Sequence, residues 1–263
     1  MSALWDLIVN NFLAFIFVTA RISGIFTFNP IFSRQNVTTR VKAGASLAFS
    51  VVTLMYMGGS VYYTVNGAVG LVFTLLQELV IGLVLGFMMN LVMTVIIYAG
   101  DVIDTQMGFG MAKAMDPSTG IQMPLLANFY YYMFILYFFI VGGHLKYIEL
   151  FIMSYDTLPI GFSFTTDSLN LIYFIANYMG TVMTLAVKFA MPIIASELIT
   201  ECILGVMMKA VPSIQIFVLN IQLKIVVGMT VLLAVAKPMS DFLEYLMDIL
   251  FANLNNALGL IGA

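Results

Sequence analysis

The side chains best suited to chemistry in this chain are a few charged residues within or beside long apolar runs. A Lys or Arg at the centre of a membrane helix costs about 2.5 to 3.5 kcal/mol, so such residues must face protein, water or one another. Two roles fit: pairing between buried charges that supports assembly, and a path for protons or other ions. Because the chain lacks a dense relay of carboxylates and histidines, we favour pairing. The residues concerned are Arg21, Glu78, Lys188, Glu197, Glu201 and Lys224.

The pairing partners of these charges stay open at this stage. Lys188 or Lys224 has a choice of Glu78, Glu197 and Glu201 as partner. A pairing role predicts that replacing either lysine by Met impairs assembly, whereas a transport role predicts normal assembly with lost transport. We expect such variants to impair assembly above all.

No arrangement of residues in the sequence predicts an enzyme. The chain has one histidine, His144, and one cysteine, Cys202, whereas a metal site needs several donors at set spacing. The sequence contains no HExxH, P-loop or nucleophile-elbow motif. Glu197 and Glu201 lie one helical turn apart, but His144 is the only histidine available to them, which argues against an intramembrane protease. We therefore expect neither catalysis nor a bound cofactor or metal.

A polar stretch rich in methionine, Gly100 to Pro117, separates two apolar segments. Methionine adapts its shape to irregular surfaces, which suits a seal that must open. The alternative is that these side chains are ordinary gap-filling core residues in a chain with 20 methionines, and sequence physics alone favours that alternative. If the stretch is helical, one face carries a stripe that repeats every four residues: Ile103, Met107, Met111 and Met115.

The same stretch contains signals that weaken and end a helix. Gly108 and Gly110, on either side of Phe109, lower helix stability by about 1 kcal/mol each. Asp116-Pro117 is a strong stop and turn signal. The pattern therefore predicts a marginal helix or loop with flexible thioether side chains.

The elements that must position these residues follow from the composition. Hydrophobic residues make up 62% of the 263 residues and charged residues only 9%, against about 25% charged in a soluble domain. The mean hydropathy is +1.05, so too few polar side chains exist to cover a surface that faces water. A net charge of −3 gives no basic patch for nucleic acid. The composition predicts an all-α membrane protein.

Apolar segments of about 20 residues are long enough to cross the hydrocarbon core of a bilayer. We expect several of these helices to be broken or to form hairpins, with a re-entrant Met-rich loop between them. The segment from residue 68 to 99 is too long for one straight crossing and is either steeply tilted or broken near Gln77. Within it, Gly82 and Gly86 form a GxxxG step that favours close helix packing. The predicted segments are Leu7–Phe28, Ala43–Met57, Ala68–Ala99, Leu125–Val141, Leu171–Ile194 continued by Leu198–Val211, and Ile214–Ala236.

These elements predict one membrane-embedded domain over residues 1–263. Apolar helices 1 to 3 occupy residues 1–99, the Met-rich loop 100–124, and apolar helices 4 to 6 residues 125–236. Residues 237–263 form an amphipathic tail helix that begins at Ser240, with Asp241, Glu244 and Asp248 on one face.

An ordered set of motifs along nearly the whole chain resembles the FliR family of flagellar export proteins and its injectisome relatives, the SctT family. No single motif is as specific as a metal-binding signature, but the order and spacing agree throughout. The motifs are Arg21-Ile-Ser-Gly24, Pro30-Ile-Phe32, Gln77-Glu78 through Gly82 and Gly86-Phe87, Ala99-Gly100-Asp101, Gln106-Met-Gly108-Phe109, Asp116-Pro117, Gly143-His144, Ser154, Pro159-Ile-Gly161, Pro192, Gly205, Val211-Pro212 and Leu223-Lys224-Ile225.

The resemblance implies a core subunit of the type III protein-export gate in the bacterial inner membrane, at the flagellar basal body. It implies FliP-like and FliQ-like partners that complete a channel for unfolded flagellar proteins, and FlhB-like and FlhA-like proteins beside it. It also implies that a loop matching Met107 to Gln122 plugs the closed channel. The plug or gate residues would be Met107, Gly108, Phe109, Gly110, Met111, Met115, Asp116 and Pro117. Whether the chain serves a flagellum or an injectisome stays open.

The competing function is a secondary transporter for a small solute. Transporters of that class often contain internal repeats with paired broken helices, and the sequence has no convincing repeat. Asn90, Lys188 and Asn220 supply few convergent polar groups for a substrate. The sequence therefore favours the export gate.

Overall fold

The computed structural model describes residues 11–30, 38–57, 67–109, 114–115, 122–161, 168–210 and 216–262, and these residues are almost entirely helical. A two-stranded antiparallel ladder, β1 (Ala114–Met115) with β2 (Gln122–Met123), lies between the third and fourth helices. The predicted class, an all-α membrane protein, is confirmed. The helices of the described residues are α1 (Phe12–Phe28), α2 (Thr39–Tyr56), α3 (Gly67–Gln106), α4 (Leu125–Ile140), α5 (Gly143–Thr157), α6 (Ser168–Ala210), α7 (Ile216–Ala234) and α8 (Ala236–Gly262).

Two of these helices are much longer than a single bilayer crossing. α3 has 40 residues and runs unbroken past Gln77, one of the two arrangements that the sequence left open, and on through the polar residues to Gln106. α6 has 43 residues and joins two predicted apolar segments into one helix, with Pro192 inside it. A proline removes one backbone hydrogen bond without necessarily ending an apolar helix, because neighbouring groups compensate.

One helix was not expected from the sequence. α5 covers a stretch that composition describes only as a loose connection after Gly142-Gly143. Gly142 has φ +75°, a left-handed conformation that glycine adopts without steric cost. The chain therefore turns at that residue and begins a new helix at once.

The length and composition of the helices fit a multi-pass membrane protein. Among the described residues, α3 and α6 are each long and apolar enough to cross a membrane. The number of candidate spans rises to four if α4 with α5, and α7 with α8, each count as one broken span. The bend between α7 and α8 is 63°. The prediction of broken apolar helices agrees with these two pairs.

The chain divides into two compact units. Unit 1 contains Met1–Leu91, Val141–Tyr178 and Leu250–Ala263. α1 packs against α2 in this unit, and the Phe26 and Phe49 rings lie 5.7 Å apart. Its core residues are Ala14, Phe17, Val18, Ile22, Phe26, Leu54, Tyr155 and Ile160.

Unit 2 contains Val92–Ile140 and Met179–Ile249. Aromatic rings from three helices form a line through it: Tyr130 lies 5.1 Å from Phe189, which lies 5.0 Å from Phe242. The buried Tyr130 hydroxyl donates a hydrogen bond to the Met239 sulfur at 2.8 Å. These two ring contacts, one edge-on and one tilted, help to fix the positions of α4, α6 and α8 within the unit.

The tail helix α8 is amphipathic, as the sequence predicts, although it begins four residues earlier, at Ala236. Pro238 lies in its first turn, where a missing amide proton costs nothing. The acidic residues Asp241, Glu244 and Asp248 are exposed. The apolar face, by contrast, is buried: Leu243, Leu246, Met247 and Leu250.

Candidate functional site

Arg21 is the centre of a buried polar cluster in unit 1. Its Nε donates to Glu78 Oε2 at 2.7 Å, and the two side chains are 0% and 1% exposed. Nη1 donates to the Ser154 carbonyl and hydroxyl oxygens at 3.2 and 3.1 Å, and Nη2 donates to the Leu158 carbonyl at 2.9 Å. The guanidinium carbon lies 3.9 Å from the Tyr155 ring centroid. Hydrogen bonds and an aromatic face thus replace the water that the cation loses.

The other polar atoms of Glu78 and Ser154 also form hydrogen bonds. Glu78 Oε1 accepts a hydrogen bond from the Gly161 amide at 3.4 Å. Ser154 donates its own proton to the Phe151 carbonyl at 2.6 Å, which leaves its oxygen free to accept from Arg21. The cluster therefore joins α1, α3, α5 and the turn after α5. Glu78 is paired with an arginine, and not with one of the lysines that the sequence offered.

Three glycines let the backbones of α1 and α3 meet beside this cluster. A methyl group added at Gly82 would overlap the Arg21 carbonyl oxygen. At Gly86 it would lie 2.5 Å from the Ile25 carbonyl oxygen, and at Gly24 it would lie 2.5 Å from a carbonyl of α3. These distances are shorter than any non-bonded contact that a Cβ tolerates. The GxxxG step of the sequence thus lies at a helix crossing, where small residues permit the close approach.

A second set of charges lies in unit 2. Lys224 forms an ion pair with Glu201, one of the pairings left open by the sequence. Glu197, one turn before Glu201, is fully buried, and neither of its carboxylate oxygens has a hydrogen-bond partner among the described residues. A Cβ at Gly228 would lie 2.6 Å from Met107 Cγ and 3.0 Å from Glu197 Oε1. The absence of a side chain at Gly228 therefore lets the end of α3 and the middle of α6 approach α7.

The two ends of the Met-rich loop lie close together in unit 2, where the end of α3 meets the start of α4. We call this contact the neck. Asp104, on the last turns of α3, is fully buried, and its Oδ2 accepts the Leu126 amide proton at 2.9 Å. That amide is in the first turn of α4, so Asp104 caps a helix from a distance. A methyl group at Gly100 would overlap the backbone of Ala127. One carboxylate and one glycine therefore hold the two ends of the loop together.

The two sides of the loop also form backbone pairs with each other, in the β1–β2 ladder. Ala114 lies opposite Met123 and Met115 opposite Gln122 in the β1–β2 ladder. α3 ends at Gln106, and Gly108 follows with φ +82°. The conditional prediction of one helix that carries the methionine stripe to residue 115 is therefore wrong. The left-handed glycine turns the chain out of the helix, and Met115 belongs to a strand.

The predicted plug residues are placed only in part. Met107 is fully buried within unit 2, and Phe109 is partly buried. Gly110, Met111, Asp116 and Pro117 lie outside the described residues. Their role as a plug stays a prediction.

Of the six charges predicted to be buried for assembly, Arg21, Glu78 and Glu197 are buried within the subunit, and Lys224 is partly buried. The other two are exposed in the subunit, so their burial in an assembly stays a prediction. Lys188 is exposed on α6, and the Glu201 side chain is 45% exposed although it is paired. The physical reason is that the described residues leave one face of α6 exposed. Only 39% of the most apolar window of α6 is buried, against 61% for α3.

Sequence reasoning missed two polar partners that the fold supplies. Asp104 was not singled out, yet α4 follows Pro124 with no Ser, Thr, Asp or Asn before it, and this lack of a local cap was the available signal. The carbonyl of Leu158 could not have been found, because a backbone atom leaves no trace in composition.

The described residues show no group of three or more His, Cys, Asp or Glu side chains that could hold a metal ion. Cys202 is exposed and in no disulfide. The described polar residues do form buried hydrogen bonds and ion pairs that connect apolar helices within each unit.

Comparison with known proteins assigns the class and then the family. A sequence model described as bacterial export proteins, family 1, matches residues 12–250, so the chain belongs to this family. The chain is 30% identical over 249 residues to the flagellar biosynthetic protein FliR of Pectobacterium carotovorum, covering 94% of this chain and 93% of that protein. It is 27% identical over 256 residues to FliR of Bacillus subtilis, covering 97% and 98%. The FliR family predicted from the sequence motifs is confirmed.

A further relative, of lower identity, has a name that does not mention flagella. The chain is 24% identical over 204 residues to the surface presentation of antigens protein SpaR of Shigella flexneri, covering 78% of this chain and 77% of that protein. The described helices and the family together give a multi-pass membrane protein of the flagellar export apparatus.

Proposed function

We propose that this chain is a core subunit of the flagellar type III protein-export gate. The observation that carries the proposal is the family match over residues 12–250, joined to relatives named as flagellar biosynthetic proteins across their full length. In this function the chain combines with FliP-like and FliQ-like subunits to form the channel that unfolded flagellar proteins cross. FlhB-like and FlhA-like proteins adjoin it in the inner membrane at the basal body.

The surface of the subunit supports a role inside a larger assembly. Large apolar side chains are exposed on several helices, among them Val206 on α6 at 71% and Leu233 on α7 at 75%. Apolar surface of this kind is covered either by lipid or by other subunits. The contacts around Arg21 hold unit 1 together and those around Asp104 hold two helices of unit 2 together, while the exposed apolar faces bind other subunits.

Within this function the Met-rich loop is proposed to obstruct the channel at rest. The neck at Asp104 and the β1–β2 ladder support the proposal, because they hold the two ends of the loop together. Met107 is buried against Gly228, so its part is to anchor the loop. Phe109, Met111 and Met115 then form the seal.

Copurification tests the proposed function directly. The tagged chain is expressed with its FliP-like and FliQ-like subunits, and the purified material is analysed for stoichiometric recovery of both. A secondary transporter for a small solute would instead purify alone and bind its solute. Recovery of the chain without either subunit would rule out the export gate.

Ion leakage tests the seal. Met111→Ser with Met115→Ser should raise the leak of small ions through the assembled complex in vesicles, because two apolar plug side chains become small and polar. The matched control is Met153→Ser with Met179→Ser, which changes two exposed methionines outside the loop. A leak equal to the control would contradict the seal.

A further inference from the structure

One face of α6 within unit 2 is apolar, exposed and interrupted by a single cation. At 3.6 residues per turn, five exposed residues fall within about 100° of arc on this helix. The residues opposite them, such as Val182, Phe189 and Ile193, are buried in the unit. We name the exposed set the Lys188 face: Gly180, Thr184, Val187, Lys188 and Met191.

The ammonium group of Lys188 has no hydrogen bond or ion pair with any of the described residues. Its neighbours on the face are apolar or already occupied: Val187 and Met191 are each 53% exposed, and the Thr184 hydroxyl donates to the Gly180 carbonyl at 2.9 Å. Two other cations of the chain, Arg21 and Lys224, do have carboxylate partners. A cation in apolar surroundings needs a counter-charge, and none of the described residues supplies one to Lys188. A neighbouring subunit can supply it.

Lys188 lies near the middle of its helix. It is 17 residues after Leu171 and 21 residues before Lys209, the ends of the candidate span, which places it about 26 Å and 32 Å from them at 1.5 Å per residue. Lysines near helix ends can extend to a lipid headgroup. Lys188 is not at either end of α6, and a carboxylate on an adjacent helix is a counter-charge that its ammonium group can reach directly.

The backbone beside Lys188 is also suited to a close neighbour. Pro192 has no amide proton to donate to the Lys188 carbonyl one turn earlier. A Cβ built on Gly180 meets nothing within 4 Å. Small residues of this kind let a second helix come close in a membrane, where it finds a free carbonyl acceptor and an ammonium donor on the same turns.

We propose that the Lys188 face docks a membrane helix of another export-apparatus subunit, and that this helix presents an Asp or Glu carboxylate to Lys188. The inference rests on the proposed function, and it adds the surface and the chemistry of the partner. The pair forms across the subunit interface, where both charges are removed from lipid and water.

The test uses the full chain coexpressed with its FliP-like and FliQ-like subunits. Lys188→Glu should reduce recovery of at least one of them roughly tenfold or more, since like charges then meet in a desolvated interface. Lys188→Met should give a smaller loss. Lys209→Glu, an exposed lysine of the same helix, is the matched control and should change recovery less than about twofold. Membrane abundance and limited proteolysis of each variant report whether the chain still folds.

A reciprocal change then identifies the carboxylate. Suppressors of Lys188→Glu that restore motility should exchange an acidic residue for Lys or Arg in a membrane helix of a partner. Such an exchange alone, against wild-type Lys188, should be defective. A photo-activatable residue at Val187 gives a second readout in a chain that keeps Lys188, and its adduct should join that same partner.

The outcomes separate the two proposals. If the wild-type chain recovers its partners and Lys188→Glu recovers them equally, the docking face is wrong and the export gate stands. If Lys188→Glu loses only bound phospholipid, the counter-charge is a headgroup phosphate and the inference fails. If the wild-type chain recovers no partner, the proposed function itself fails.

Discussion

Replacement of Arg21 by Met is the most severe test of how unit 1 is held together. The substitution keeps an unbranched side chain but removes the charge and all four hydrogen bonds that Arg21 makes, to Glu78, Ser154 and Leu158. It also removes the cation from the Tyr155 ring. What remains is a buried carboxylate whose other hydrogen bond, from Gly161, is long at 3.4 Å.

The buried contacts of Arg21 determine how much unfolding free energy the substitution removes. Removal of one partner from a buried ion pair costs about 3 to 5 kcal/mol, because the other charge is left without compensation. Arg21→Met should fall at the upper end, since the Leu158 carbonyl also loses its donor and the Ser154 carbonyl keeps only the Leu158 amide. Glu78→Gln should cost less, about 1 to 3 kcal/mol, because the amide oxygen still accepts the Nε proton and the arginine keeps its other acceptors. The double change, with Glu78→Met as well, should recover part of the loss.

The assay is the free energy of unfolding of the purified chain in mixed micelles, from titration with SDS followed by far-ultraviolet circular dichroism. Arg40→Met is the matched control, since Arg40 is exposed on α2 of the same unit. We expect the order Arg21→Met, then Glu78→Gln, then Arg40→Met, which should be close to wild type. A loss for Arg21→Met no larger than that of the control would refute the argument that this cluster holds the unit together.

Further substitutions probe the other contacts. Gly82→Ala should cost about 1 to 3 kcal/mol in the same titration, because its methyl group overlaps a backbone carbonyl of α1, whereas Gly180→Ala, with open space around it, should be neutral or stabilising in the single subunit. Asp104→Ala should lower stability by about 0.5 to 2 kcal/mol, while Asp104→Asn keeps an acceptor for the Leu126 amide and should lose less; equal losses would exclude the capping role. Glu197→Gln should leave thermal stability unchanged or raise it, because the buried carboxylate has no hydrogen-bond partner among the described residues; a marked fall in melting temperature would show that its charge is compensated.

The helices were largely predictable because apolar run length reports directly on them. A chain with 62% hydrophobic residues must form helices that satisfy their own backbone groups in lipid. The GxxxG step and the amphipathic tail were also visible, since both depend on residue spacing along one helix. The helix boundaries were less predictable: α3 runs past Gly100 to Gln106, and Pro192 does not divide α6. Tertiary packing decides these helix boundaries, because contacts with neighbouring helices stabilise a turn whose own sequence favours a helix only weakly.

The family was also determined by sequence, since its motifs keep their order over the whole chain. The sequence did not determine which charged residues pair with one another. Residue type alone left Glu78 open to several cations, and only the crossing of α1 and α3 at their glycines brings Arg21 to it. Asp104 and the Leu126 amide are 22 residues apart, and Arg21 and Leu158 are 137 apart. Such contacts depend on where helices cross, and no local pattern encodes a crossing.

Composition and spacing therefore determined that this chain forms apolar helices in a membrane, and motif order determined its family. Tertiary structure decided which polar groups are satisfied inside the subunit and which are left over. Arg21 finds its partners within the chain, whereas Lys188, one charged residue among several in the sequence, lies on a face that the described residues leave exposed. The physical reason is that the free energy of a charge in apolar surroundings is set by its neighbours in space, and folding alone assigns them.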